Sequence, residues 1–324
     1  MKKVTAYANA NIALIKYWGK NNHVLNIPLM SSLSVTLDNL GTLSSVEVAD
    51  EDKLFINDQE EKNIEKLIYF LQYIRSTFNT KKYFLIKSYN NIPTMAGLAS
   101  SASAYASITI ALNNLLSLNL TKEQMSLVAR VGSASAARSI FGGINILHGG
   151  QNYTHEQACV KNITNQHFSN LAILIVLCDK QPKKISSTKG MKLASSSIFF
   201  EAFVNKNSDD IKNALNAIDK GDFASLGNLS ELSTLKMHSV MLTSTPSLMY
   251  WNEKTLIVMK KIQDLREQYG YIAFFSIDAG ANVKIFCCNN SYISLIMQEL
   301  SDYFNKEDFL ISSIGNDAYV QKNS

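Results

Sequence analysis

The sequence predicts an α+β fold. Three observations carry that expectation. Strand-like and helix-like segments do not alternate in steady βαβ order. A hairpin signal lies in the first half. A chain of 324 residues with 46% hydrophobic content can also bury a large core, as one big domain or two of ordinary size.

In chain order, alternating apolar residues in LSSVEV (43–48) and KLFIN (53–57), separated by the acidic ADED, read as a β-hairpin. EEKNIEKLIYFLQYIRSTF follows with Ile64, Leu67, Ile68 and Leu71 at the spacing of an amphipathic helix. YFLIKS (83–88) reads as a buried strand. In TKEQMSLVARV, Thr121 and Gln124 form a capping box ahead of Met125, Val128 and Ala129. GSASAARSIFGG (132–143) has serines at a helix start and a Gly pair at its stop. LAILIVLCD (171–179) has the length and composition of a fully buried strand. The polar, lysine-rich DKQPKKISSTKG then marks the boundary between halves. Helical runs follow near 191–217, 222–239 and 252–268. Next come the strand YIAFFSID, the turn AGAN, the strand VKIFCC, a helix near 292–304 and a last strand, FLISSI.

Composition narrows the function classes. Charged residues make up 18% and the net charge is +4 without long basic blocks, which speaks against a nucleic-acid binder and leaves anionic small molecules open. Cys159, Cys178, Cys287 and Cys288 lack CxxC spacing, so a reducing compartment is expected. Asn9, Asn11 and Lys16 interrupt the N-terminal apolar run, and LAILIVLC is too short to span a bilayer. A soluble cytoplasmic protein is the expectation.

The stretch NNIPTMAGLASSASAYASITIAL (90–112) sets very small side chains ahead of a long apolar run. Amides at a helix start lack intrahelical partners and lie at the positive pole of the macrodipole, so unblocked they suit phosphate oxygens. Gly97 lets the backbone come close, and Ser100, Ser101 and Ser103 add hydroxyls. A tightly packed helix start with serine caps is the other reading. There is no GxxxxGK[ST] and no GxGxxG, and HEQAC fails the HExxH pattern.

PTMAGLASSASA is similar to the Pro-x-x-x-Gly-Leu-[Gly/Ala]-Ser-Ser-Ala loop of the GHMP kinases. NIALIKYWGK (11–20), SSLSVTLD (31–38), GSASAARSIFGG (132–143), KKISSTKGM (183–191), LKMHSVML (235–242) and IDAGANVKI (277–285) resemble, in order, the diphosphomevalonate decarboxylase family. The resemblance spans nearly the whole chain. It implies the GHMP kinase fold, with a ribosomal protein S5 domain 2-like N-terminal half, a ferredoxin-like C-terminal half and a cleft between them. It places a nucleotide-binding domain at 1–183 and a second domain at 184–324. The family uses ATP with Mg²⁺ to phosphorylate the 3-hydroxyl of mevalonate 5-diphosphate, then expels phosphate and CO₂. A homodimer is its common state.

Carried over residue by residue, the resemblance makes Asp278 the catalytic aspartate, which either removes the hydroxyl proton or orients the hydroxyl. A turn-forming Asx residue is its plain structural alternative. Arg138 contacts the substrate carboxylate, and its planar fork suits such a group. Lys16, Tyr17 and Lys20 line the substrate pocket. Lys16 sits in an apolar segment and needs a partner if buried; a solvated strand lysine is the alternative. Ser133 and Ser135 bind the diphosphate. Gly97, Leu98, Ala99, Ser100 and Ser101 hold the nucleotide phosphates, Ser101 near Mg²⁺. His238 reads as packing and stays outside the active site. The chain departs from the family pattern at Ala134 (glycine there), Ala137 (cysteine), Ala281 (proline) and Asn21 (arginine). The last removes a positive charge near the pocket. The runner-up is a related kinase or decarboxylase acting on mevalonate or its monophosphate. A noncatalytic nucleotide-binding or RNA-associated protein is a rival of another class.

Overall fold

The computed structural model describes residues 3–91, 100–163, 166–181 and 185–322. Gly97, Leu98 and Ala99 lie outside the described residues. The chain begins with β1 (Lys3–Ile15), β2 (Lys20–Asn22), β3 (Ile27–Pro28), β4 (Ser32–Ala49), β5 (Lys53–Ile56) and β6 (Gln59–Glu60). There follow α1 (Glu65–Thr77), β7 (Tyr83–Asn90), α2 (Ser100–Leu115), α3 (Lys122–Gly132), a 3₁₀ segment (Ala134–Ile140), β8 (Ile144–Leu147) and β9 (Val160–Ile163). Next come β10 (Ala172–Val176), α4 (Ser187–Leu193), α5 (Phe200–Asp219), α6 (Phe223–Leu242) and α7 (Glu253–Tyr269). The chain closes with β11 (Ala273–Ile277), β12 (Val283–Cys287), α8 (Ser291–Glu299), β13 (Phe309–Ser313) and β14 (Tyr319–Val320).

Two principal sheets result, as an α+β chain requires. One runs β14-β1-β4-β7-β5-β6, with β8 also on β4 and β9 beside β8; the other runs β11-β12-β10-β13, antiparallel throughout. β10 lies in the second sheet although it precedes residue 183, and β14 returns to the first.

The expected hairpin between 43–48 and 53–57 is not formed. Both segments are strands, but β7 lies between them, antiparallel to β4 (Val46 opposite Ile86) and parallel to β5 (Leu54 opposite Ile86). The acidic turn explains the difference. The Asp52 carboxylate accepts from the Phe84 amide at 3.0 Å and pairs with Arg75 of α1 at 2.5 Å, so it anchors β7 and α1 instead of closing a hairpin. On α1 the buried stripe is Leu67, Phe70, Leu71 and Ile74, while Ile68 faces outward. The Thr121–Gln124 capping box of α3 is present, with both reciprocal bonds made.

β10 is buried at every position because both faces of its sheet are covered. Leu174 and Val176 join the core under α7 and α8, whereas Ile173 and Ile175 join one built with β1, β4, α5 and α6. A further core packs α1, α2 and α3 on the first half of β1 and on β7.

The small residues of α2 let it lie close on the first sheet. Ser103 Oγ is 2.7 Å from Thr42 Oγ1, which also donates to Asn90 Oδ1 at 2.6 Å. One helical turn later, Ser107 Oγ donates to Ser44 Oγ at 2.7 Å, and Ser44 meets Ser88 at 2.8 Å. The four-residue step on the helix thus matches the two-residue step on β4 and β7, fixing where α2 begins.

Gly315 sits where the C-terminal strap crosses β4. Its N–H donates to Thr36 O at 2.8 Å, and a Cβ there would lie 2.0 Å from Leu37 O, a backbone atom that cannot swing aside. Gly315→Ala is therefore expected to lower unfolding free energy by about 2–3 kcal/mol in urea titration.

Candidate active site

The ends of both sheets meet at a cleft of about 390 Å³. Lys16 and Tyr17 follow β1, Asp278 follows β11, and Ser133, Ser135 and Arg138 come from the α3 end and the 3₁₀ segment. Ser101 comes from the first turn of α2, and all of these, with Lys20, line the cleft.

Lys16 is 1% exposed, so its ammonium requires partners inside the protein. Its Nζ donates to Asp278 Oδ1 at 2.7 Å and to Ala13 O at 2.8 Å. The other Asp278 oxygen lies 3.3 Å from Nζ of Lys284, which is equally buried and also bonds Asn282 O at 3.2 Å. Asp278 is 34% exposed, so its carboxylate rests on two sealed cations and opens to the cleft. Burial alone would raise the Asp278 carboxyl, but the charges of Lys16 and Lys284 and their hydrogen bonds hold it well below the usual carboxylate range. Burial pushes Lys16 down to about 8, with Asp278 opposing and Lys284 and Arg138 adding to the fall.

Arg138 is also buried. Its Nε donates to Asn11 Oδ1 at 3.0 Å and its Nη1 to Ser32 Oγ at 2.6 Å. Asn11 is fixed in turn by Nδ2 bonds to Ser139 Oγ and Ser135 O. Both bonds from Arg138 end on neutral oxygens, so they orient the guanidinium without cancelling its charge. It lies 5.8 Å from the centre of the Tyr17 ring, a cation–π placement that walls the same pocket.

Ser133 ends α3 in an extended conformation and begins the 3₁₀ segment. Gly132 just before it is needed for close packing, because a Cβ there would fall 2.1 Å from the Tyr105 ring of α2. Ser133 Oγ is 3.3 Å from Ser135 Oγ and 3.4 Å from Ser101 Oγ, so the two helix starts share one rim. The first turn of α2, which opens at Ser100, carries no acidic side chain of its own against the positive pole of the helix.

Lys20 Nζ donates to Asn26 Oδ1 at 2.5 Å, and Asn26 Nδ2 bonds Val131 O beside the serine segment. Burial, and then the charges of Lys66 and Lys192, bring Lys20 down to about 8. Lys66 and Lys192 line the cleft as well, whereas Asn21 is exposed on β2.

The structure thus gathers Lys16, Tyr17, Lys20, Ser101, Ser133, Ser135, Arg138 and Asp278 around one cleft. It adds Lys284, Asn11, Ser32, Lys66 and Lys192, which sequence reasoning did not assign to the site. Lys284 gave the same signal as Lys16, a lysine inside an apolar strand. Lys66 and Lys192 lie on helices and gave none. Chemically, the cleft offers a carboxylate to a neutral hydroxyl and concentrated positive charge to a polyanion.

NMR titration of lysine side chains should find two groups near pH 8, Lys16 and Lys20, well below an ordinary lysine. In Asp278→Asn, Lys16 is expected to move lower still, since its opposing charge is gone while its burial and Lys284 remain.

Comparison with known proteins accords with this geometry. A family model described as "Diphosphomevalonate decarboxylase-like N-terminal domain" matches residues 8–160, and one described as "Mevalonate 5-diphosphate decarboxylase C-terminal domain" matches 173–323. Diphosphomevalonate decarboxylase of Debaryomyces hansenii is 33% identical over 327 residues, covering 93% of this chain and 83% of the relative. A solved structure of "MDDEF in complex with MVAPP, AMPPCP and Magnesium" superposes with a TM-score of 0.93 at 34% identity, covering 99% of both chains. The crystal structure of mevalonate diphosphate decarboxylase from Staphylococcus aureus gives 0.93 at 34% identity, covering 99% of this chain and 98% of the other. These likenesses bear out the GHMP kinase architecture expected from the loop and its companion motifs. With the two halves matched in order across nearly its whole length, the chain belongs to the diphosphomevalonate decarboxylase family.

Proposed function

We propose that the chain converts mevalonate 5-diphosphate and ATP into isopentenyl diphosphate, ADP, phosphate and CO₂. The observation that carries this reading is the Asp278 carboxylate, seated on Lys16 and Lys284 in the cleft that Arg138 also lines. A relative at 34% identity holds MVAPP, AMPPCP and magnesium, which supports the same pair of substrates here.

The chemistry needs two stages. The 3-hydroxyl oxygen attacks the γ-phosphorus of ATP, the bond to ADP breaks, and the hydroxyl proton leaves. Asp278, whose carboxylate opens to the cleft, would orient that hydroxyl or take its proton. A loose phosphoryl-transfer transition state asks little of a base, so the low basicity of Asp278 is no obstacle. The tertiary C–O bond then breaks as phosphate departs, and the electron pair of the carboxylate C–C bond forms the new double bond, releasing CO₂. Arg138 holds the carboxylate until then, and Lys16 balances the charge on Asp278.

Ser101 and the start of α2, with Gly97, Leu98, Ala99 and Ser100 before and at it, would hold the ATP phosphates and the Mg²⁺ that travels with them. The acid-free first turn of α2 fits such an anion. When bound, Mg²⁺ would supply neutralisation of phosphate charge there.

Tyr17, Ser133, Ser135 and Lys20 would take the diphosphate end. The charge missing at Asn21 is made up by Lys66 and Lys192, which face Lys20 closely enough to lower its pKa. Three ammonium groups suit a diphosphate better than a monophosphate. The same reading makes the protein a cytoplasmic homodimer of the mevalonate route to isoprenoids, in keeping with the family resemblance and the four free thiols.

Mevalonate, its 5-phosphate and its 5-diphosphate should be assayed side by side for ADP and CO₂. CO₂ in step with ADP from the diphosphate alone is expected; CO₂ from only the monophosphate, or ADP without CO₂, defeats the reading. Asp278→Asn should nearly abolish ADP formation. Arg138→Ala should cut turnover several-hundred-fold, about 3 kcal/mol of lost transition-state stabilisation.

A further inference from the structure

Lys20 reaches the cleft from β2, and the turn between β2 and β3 is held on the end of α3 by two side chains. Asn26, in the left-handed conformation that asparagine tolerates (φ 51°), donates through Nδ2 to Val131 O at 2.7 Å while its Oδ1 accepts from Lys20 Nζ. Beside it, the Leu25 amide donates to Asn22 Oδ1 at 2.9 Å, and the Leu25 carbonyl accepts from Nη1 of Arg130 at 2.5 Å. Arg130 and Val131 belong to the last turn of α3, which ends at Ser133. The turn bearing Lys20 and the serine segment are thereby docked on the same two residues.

Arg130 is 0% exposed and, unlike Val131 and Asn26, does not line the cleft. Its Nη2 donates to His155 O at 3.0 Å and lies 2.8 Å from His155 Nδ1. A guanidinium can only donate, so Nδ1 accepts. Burial and then the charge of Arg130 lower the His155 pKa, with Glu156 opposing, so the ring is neutral and its hydrogen sits on Nε2, 3.2 Å from the Tyr73 hydroxyl of α1. The acceptors around Arg130 are thus uncharged. Burying a guanidinium in this way is costly, and packing alone would be served as well by an apolar side chain. What an apolar side chain could not do is grip a carbonyl of the turn.

We propose that Arg130 is a positioning residue: oriented by His155, it grips Leu25 O and, together with Asn26 on Val131 O, holds the β2–β3 turn so that Lys20 faces the serine segment across the cleft. The inference rests on the function proposed above only in taking Lys20 to meet the diphosphate.

The test compares Arg130→Met, Arg130→Lys and Asn26→Gly. Lysine side chains are titrated by NMR in unliganded protein, and kcat and KM are measured for CO₂ release. The charged and titratable groups around Lys20 are Lys66 of α1, Lys192 of α4 and His23 of its own turn. Burial, followed by the charges of Lys66 and Lys192, brings Lys20 down to about 8, so a turn that lifts away lets it titrate higher, toward an ordinary lysine. Arg130→Met should raise Lys20 and leave Lys16, which is held by Asp278, where it was. Arg130→Lys keeps the charge but cannot hold Leu25 O and His155 at once, so a smaller rise there reports movement and not lost charge. Asn26→Gly keeps the left-handed backbone, cuts the tie to Val131 and should act like Arg130→Met. In Arg130→Met and Asn26→Gly the KM for mevalonate 5-diphosphate should rise about 10-fold, with kcat and the KM for ATP within about threefold, because binding is lost equally from ground and transition states. The two milder variants decide the matter even if Arg130→Met fails to fold. Lys20 unmoved in both Arg130→Lys and Asn26→Gly overturns the proposal, as does a Lys16 that shifts as far as Lys20. Wild-type protein that releases no CO₂ overturns the functional reading alone, because the Lys20 titration in unliganded protein still reports where the turn stands.

Discussion

Two buried ammonium groups around one carboxylate form the contact on which the site depends. Lys16 follows β1 of the larger sheet, Lys284 lies on β12 of the smaller, and Asp278 closes the bridge between them. Each cation would be costly to bury alone, and a single carboxylate cannot neutralise both. Arg138, buried and bonded among the described residues to neutral oxygens, adds to the imbalance. The cleft therefore carries surplus positive charge behind low-dielectric walls, which an anionic molecule entering it would relieve.

Much of this was legible in the sequence where the signal was local. The Thr121–Gln124 box, the all-apolar β10 and the polar breaks in the β1 run each reported their own surroundings, because capping and burial act over a few residues. Lys16 betrayed itself as a charge in an apolar stretch. Lys284 did the same in VKIFCC and was passed over, since its partner lies six residues back around a turn, where spacing alone does not indicate pairing. Pairing between strands was the weak point. Nothing in 43–57 foretells that Asp52 would reach Arg75 and Phe84 and draw β7 between two segments close in sequence.

Lys66 and Lys192 illustrate a further limit. They lie far from each other and from Lys20 in the chain, on helices where an exposed lysine is unremarkable. Only tertiary packing turns them into one field with Lys20. The exposed Asn21, by contrast, was conspicuous in sequence because it departs from the family pattern. The two observations belong together, since positive charge at this end of the cleft can be supplied from more than one place in the chain.

The paired hydroxyls beneath α2 have a consequence for how such a protein tolerates change. A helix resting on alkyl groups can slide or roll by small amounts at little cost, because dispersion has no preferred register. Ser103 on Thr42 and Ser107 on Ser44 work instead like two pegs in two holes, and a shift of one residue would empty both. The helix is indexed against the sheet, so insertions and deletions upstream must be absorbed before residue 100, and the amides that open at the cleft keep their address while the segment leading to them varies.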